Sequence, residues 1–156
     1  MASRYRPLWS AALLLGIGLG GFVDGIVFHQ ILQWHHMATG LPSVADDLRF
    51  NMLLDGLFHV VMWIFTFAGV WLLHRAWRRD AGSWSANVLA GAMLAGWGLF
   101  NLVEGIVNHH LLGIHHVWPM GPGPVWAWDV AFLASGVTLL VIGVTLARRG
   151  GNNSPE

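Results

Sequence analysis

"GFVDGIVFHQILQWHHM", residues 21–37, places an aspartate and three histidines inside or at the edge of an otherwise apolar run. The meaning of those polar groups depends on what surrounds them. The chain has 156 residues, 55% hydrophobic and only 10% charged, with no lysine and a mean hydropathy of +0.56. A soluble domain carries roughly 25% charged residues, so the deficit indicates a membrane protein. Four apolar segments follow one another at 8 to about 27, 51–73, 86–107 and 125–147. Each has about 20 residues or more, enough to cross a ~30 Å hydrocarbon core as a helix rising about 1.5 Å per residue. The expected fold is all-α: a four-transmembrane-helix bundle forming a single membrane domain over residues 1–156.

The quoted run has a partner. Residues 12–37 align without a gap, at an offset of 80, with residues 92–117, and thirteen of the 26 pairs are identical. The shared core reads [DE]-G-I-V-x-H-x-x-[IL]-L-x-x-H-H, pairing Asp24, His29, His35 and His36 with Glu104, His109, His115 and His116. Membrane composition explains shared leucines, but not three aligned histidines and an aligned acid. Spans two and four match more weakly at an offset of 74, which pairs Asp55 with Asp129 and Phe58 with Phe132 but sets His59 opposite Leu133. The reading is therefore two tandem two-helix repeats, about 8–75 and 86–149, entering the membrane in parallel and related by a pseudo-two-fold axis along its normal.

Arginines orient the bundle. Arg4 and Arg6 precede the first span, Arg75, Arg78 and Arg79 fall in a 75–80 loop, and Arg148 and Arg149 follow the fourth span, leaving Arg49 alone at the other end. The positive-inside rule puts both termini and the 75–80 loop in the cytoplasm, and the histidine-rich end outside. Trp9, Trp71, Trp77 and Trp84 then mark one interface, Trp34, Trp118, Trp126 and Trp128 the other, while Trp63 and Trp97 read as packing residues at mid-depth. Arg4 and Arg6 before a glycine-rich apolar run also fit the start of a cleaved signal peptide. No clear A-x-A site follows, and the repeat makes a retained span the better reading.

Depth along ideal helices puts Asp24 and Glu104 about 25 Å from the arginine end. Asp55, His59 and Asp129 join them in one layer, with His29 and His109 about 7–8 Å further out and His35, His36, His115 and His116 at or beyond the surface. An ionised carboxylate near a helix centre costs about 2.5–3.5 kcal/mol, so four together cost on the order of 10 kcal/mol unless compensated. No lysine or arginine lies at that depth, so histidines and a bound cation are the available partners. Imidazole nitrogen and carboxylate oxygen together suit a transition metal. Asp55 and His59, spaced i, i+4, project from one face and can serve one site. Asp24 and His29 are five residues apart, about 140° on an ideal helix, and need a π-bulge, a bend or separate roles to meet at one ion.

The alternative without chemistry is a set of protonated acids and hydrogen-bonded histidines that fixes helix registry. The repeated outward histidines are too many for registry alone. For single residues the bland reading is stronger: His74 is an interfacial side chain, and His110, opposite Gln30, is evenly balanced. Asp46 and Asp47 fit the start of a helix capped by Ser43 and are left out of the site. Met37 and Met120 flank the histidine clusters and suit gap-filling better than copper binding.

The run "FVDGIVFHQILQWHHM" and its echo "VEGIVNHHLLGIHH" resemble an uncharacterised family of bacterial integral membrane proteins catalogued as a domain of unknown function, over roughly residues 9–146. The resemblance implies a four-helix inner-membrane protein. Its members are sometimes encoded near copper-handling oxidase-assembly factors, which favours copper, but the family carries no established reaction.

The leading expectation is a metal-dependent oxidoreductase whose ligands come from Asp24, His29, His35, His36, Asp55, His59, Glu104, His109, His110, His115, His116 and Asp129, holding copper or iron ahead of zinc or manganese. Metal handling linked to oxidase assembly comes second. A b-type haem protein using His29, His59 or His109 comes third, since haem has no need of the acids. The inner halves of the spans carry no ionisable residue, which favours a fixed site over a transport route. Expected partners are the lipid bilayer and a membrane or extracytoplasmic redox or metal-delivery protein; a homo-oligomer is compatible, nucleic acid is not.

Overall fold

A computed structural model describes residues 3–79 and 84–152. Its four long helices are α1 (Arg6–Val23), α2 (Leu48–Arg79), α3 (Ala86–Glu104) and α4 (Val125–Asn152). With their continuations, all four are long and apolar enough to cross a membrane. There is no strand among the described residues. Leu53, Leu57, Trp63 and Phe67 on α2 and Val137, Val141 and Ile142 on α4 are exposed, as a lipid-facing surface requires.

The helices at the centre are the glycine-rich ones. α1 packs on both α2 and α3, and α3 on both α1 and α4. Close approach is possible because α1 and α3 cross at glycines: a Cβ on Gly16 would collide with the Met93 carbonyl, and one on Gly96 with that of Leu13. Small residues let two backbones gain van der Waals contact where no hydrophobic effect drives association in lipid. The interior toward the arginine end is apolar, with Ala11, Ala12, Leu15, Val88, Ala92 and Ala95 buried.

Both central helices change pitch at their acid. α1 passes into a π-helix at Asp24–Ile31, and α3 into a second one at Gly105–Leu111. Each then stops on a residue of positive φ, Gln33 at 50° and Gly113 at 57°, which hold equivalent positions in the two halves. The following amides close the helix end, Trp34 N–H onto Phe28 O at 2.9 Å and Ile114 N–H onto Asn108 O at 3.0 Å. This left-handed terminus turns the chain back, and it decides where the next histidines go.

Several boundaries differ from the sequence reading. α2 continues as helix to Arg79, because long basic side chains let a helix run past the hydrocarbon and suit its C-terminus. Part of the supposed 75–80 loop is therefore helical, and Asp80 lies outside the described residues. Asp47, rather than Ser43, caps α2: its Oδ1 accepts the Phe50 N–H at 3.0 Å, while Ser43 sits in a preceding turn. Trp63 is 58% exposed and stacks on Phe67, so it faces lipid rather than the interior.

Candidate metal centre

The π-helices bring together what an α-helix would separate. With about one extra residue per turn, positions i and i+5 come onto one face. His29 Nε2 accordingly lies 3.4 Å from Asp24 Oδ2, and His109 Nε2 lies 3.1 Å from Glu104 Oε1. The turn-back after Gln33 and Gly113 then carries His35 and His115 inward. Both are buried, contrary to their expected place at or beyond the outer surface. Extrapolating helical rise past residues 31 and 111 fails because the helices end there.

Four imidazoles form the cluster. Ring centroids are 4.3 Å apart for His29 and His35, 4.7 Å for His35 and His115, 4.9 Å for His109 and His115, and 5.6 Å for His29 and His115. Their exposures are 0% for His29 and His115 and 3% for His35 and His109. In each ring Nδ1 faces a group that only accepts. His29 meets Asp55 Oδ1 at 2.8 Å, and His109 meets Asp129 Oδ1 at 3.5 Å. His35 reaches across to Val117 O at 2.7 Å, and His115 reaches back to Met37 O at 3.1 Å. A neutral imidazole with its proton on Nδ1 keeps a lone pair on Nε2. Burial, with His29 and His115 beside it, pushes His35 down to about 2, so this ring stays neutral.

The Nε2 atoms have nowhere else to go. Those of His29, His35 and His109 are buried with no hydrogen-bond partner, and so is Glu104 Oε2. His115 Nε2 points at Glu104 Oε1 from 2.8 Å. With the His115 proton on Nδ1, that contact sets a lone pair against a carboxylate. It needs a proton or a cation between the two. Two groups of donor atoms lie within 4.8 Å of one another, His29 with His35 and His115, and Glu104 with His109 and His115. These buried groups could hold a metal.

Asp55 and Asp129 occupy a different position from the one their sequence spacing suggested. Asp55 Oδ1 accepts from His29 and from the Met37 N–H at 2.9 Å, and Oδ2 accepts from His36 at 2.7 Å and Gln30 at 3.1 Å. Its four acceptor sites are filled. Asp129 repeats the pattern, taking the Val117 N–H at 3.0 Å and His116 at 2.7 Å. Both carboxylates hold the histidines from behind. His36 and His116 are their outer partners, 20% and 41% exposed at the side chain.

His59 and His110 are not brought to the cluster. His59 Nδ1 donates to the Asp55 carbonyl one turn back in its own helix at 2.8 Å, and its ring meets Phe22 and Phe58. His110 Nδ1 likewise donates to Gly105 O at 2.7 Å. The i, i+4 spacing of Asp55 and His59 put them on one side of α2, but Nδ1 of His59 bonds the backbone instead, and its Nε2 is buried without a partner away from the cluster.

Two asparagines escaped the sequence reading. Asn51, 1% exposed, accepts the Ala38 N–H at 2.9 Å and donates to Val44 O at 3.0 Å, pinning the loop that carries His35 and His36. Asn101, aligned with Gly21, bonds Ser135 Oγ at 3.0 Å. Polar residues just inside a predicted span were the available signal. Above the cluster, Trp34 stacks on Trp118 at 4.2 Å, with Trp128 5.0 Å from Trp118. These indoles pack against the buried apolar group that includes Val117, whose carbonyl holds His35.

Fold and cluster together define a multi-pass membrane protein with a buried histidine–carboxylate centre at one end of a four-helix bundle. The chain belongs to a family of predicted membrane proteins of unknown function, DUF2243, which matches residues 11–150. No curated protein and no solved structure matches it.

Proposed function

We propose that the chain binds one transition-metal ion between its halves, through Nε2 of His29, His35, His109 and His115 with Glu104, and Asp24 beside them. The observation that carries this is the convergence of buried Nε2 lone pairs on a carboxylate, with an acceptor hydrogen-bonded to Nδ1 on the far side of the His29, His35 and His115 rings. Such backing acceptors set the tautomer and orientation of ligating histidines. His115 belongs to both donor groups, and its Nδ1 is committed to Met37 O. One Nε2 serves one ion, which favours a mononuclear centre.

Nitrogen-rich ligation with a carboxylate suits copper(II) or iron, and the lack of cysteine argues against a thiolate-bound ion. Direct ring–ring contacts favour an ion over a haem, whose porphyrin needs a slot between its axial ligands. The positive-inside rule places this end outside the cytoplasm. The apolar, glycine-packed interior toward the arginines supports a fixed centre. An oxidoreductase is the function such a centre serves best. Metal handling is the second reading, favoured by His36 and His116, which sit half-exposed between the outer surface and the cluster.

The test is metal analysis of detergent-purified protein, beside His115→Ala and Glu104→Gln. About one copper or iron per chain, lost in both variants, is the expected result. No ion above background after reconstitution, in a folded protein, would reduce the cluster to a hydrogen-bond network.

A further inference from the structure

Glu104 faces two ways. Oε1 meets His109 and His115, while Oε2 is buried without a partner. The same side chain lines an apolar cavity of about 280 Å³ between α2 and α3, with Ile17 of α1 contributing to its lining. Phe58, Phe65 and Phe100 give it aromatic walls, and Asn108 is its one other polar residue. Val103 and Val107, also in its lining, are 55% and 36% exposed on the lipid-facing surface, so the cavity is reached sideways from the bilayer.

The other half is built differently at the equivalent positions. Trp97 stands where Ile17 does, Phe28 replaces Asn108, and Gly20 replaces Phe100. The Trp97 indole lies against Gly20. A centre with matched ligands from both halves thus has a roomy, aromatic-walled approach on the Glu104 side.

We propose that this cavity binds a lipid-soluble aromatic alcohol of the quinol class, its ring between the phenylalanines and its hydroxyl donating to the Glu104 carboxylate. This deepens the metal reading, because Glu104 is common to both. A carboxylate wants a donor; an acidic lipid head would meet like charge, and an acyl chain alone would offer the carboxylate no donor. Flat rings suit aromatic walls, with edge or offset contacts. The volume admits a substituted ring and the start of a tail, with the rest of the tail in lipid.

The experiment uses the full, metal-loaded chain in nanodiscs, titrated anaerobically with a decyl-substituted benzoquinol against empty discs, with metal content measured in the same samples. Saturable binding near one per chain is expected. Ile17→Trp, which copies the other half, and Val107→Trp at the lipid edge should each weaken it at least about tenfold while retaining metal. Val27→Trp, the counterpart of Val107 in the other half, should leave it unchanged. Decanoic acid should compete poorly. Partition equal to empty discs, wild-type affinity in both blocking variants, or competition by decanoic acid equal to that of the quinol would each overturn the assignment. Those outcomes with metal retained leave the metal reading standing; absence of metal from the wild type overturns that reading separately.

Discussion

Residues 24–37 and 104–117 make the same contacts in pairs. Each acid sits over a histidine five residues on, each first histidine leans on an aspartate of the following helix, and each second histidine crosses to a carbonyl of the other half. Several other pairs diverge. His59 stands opposite Leu133, Gln33 opposite Gly113, Ile17 opposite Trp97 and Asp24 opposite Glu104. Agreement covers the atoms that face the centre and also the paired glycines Gly16 and Gly96 at which the two central helices cross. The longer acid, Glu104, is also the one that lines a cavity reached from the bilayer, which gives the paired arrangement a front and a back.

The strongest way to break the comparison is to remove one crossing histidine at a time. His115→Ala takes a member from both donor groups and should abolish metal retention through dialysis. His35→Ala, which leaves Glu104 with His109 and His115, should retain a weakly bound ion. Equal loss in both, measured by metal analysis, would mean that the halves contribute alike and that Glu104 gives no asymmetry.

Next come the backing carboxylates. Asp55→Asn and Asp129→Asn should weaken metal affinity about 10–100-fold by chelator competition, since they orient ligands without binding the ion. Asp55, with four donors against fewer on Asp129, should show the larger effect.

Acid offers a gentler lever. His35 is held near 2 in the folded chain against about 6.5 for a free imidazole, so the unfolded chain binds the extra proton between those values. Stability from this residue is complete above pH 6.5 and declines as pH falls toward 2. Thermal unfolding of metal-free protein should drop between pH 6.5 and 4, and His35→Gln should flatten that slope.

Smaller still is the helix-end pair. Gln33→Gly should stabilise, and Gly113→Gln destabilise, by about 1 kcal/mol each in thermal unfolding, because a side chain is strained at positive φ. His59→Leu, which copies Leu133, should leave metal content unchanged.

The sequence made the four helices legible through length and apolarity, and its aligned histidines pointed to His29, His35, His109 and His115, which lie together. It also flagged that Asp24 and His29 could not meet on a regular α-helix, and the π-helix is how they do meet. What stayed hidden depended on where the chain turned. A positive φ at Gln33 leaves no mark in composition, yet it moves His35 from the surface to the interior. The role of Asp55 was obscured for a related reason. Its neighbour in spacing was His59, whereas its partners, His29, His36 and the Met37 amide, arrive from another helix and a loop.

The crossing of His35 to Val117 and of His115 to Met37 has a consequence for each half taken alone. A lone two-helix unit carrying the motif would hold only two of the four rings, with one of those rings lacking its backing carbonyl. Two identical copies related by a two-fold axis would supply each other's missing carbonyl, with the centre on the axis itself. In one polypeptide two such units need not stay identical, so the acid of one side, Glu104, can line a cavity of its own.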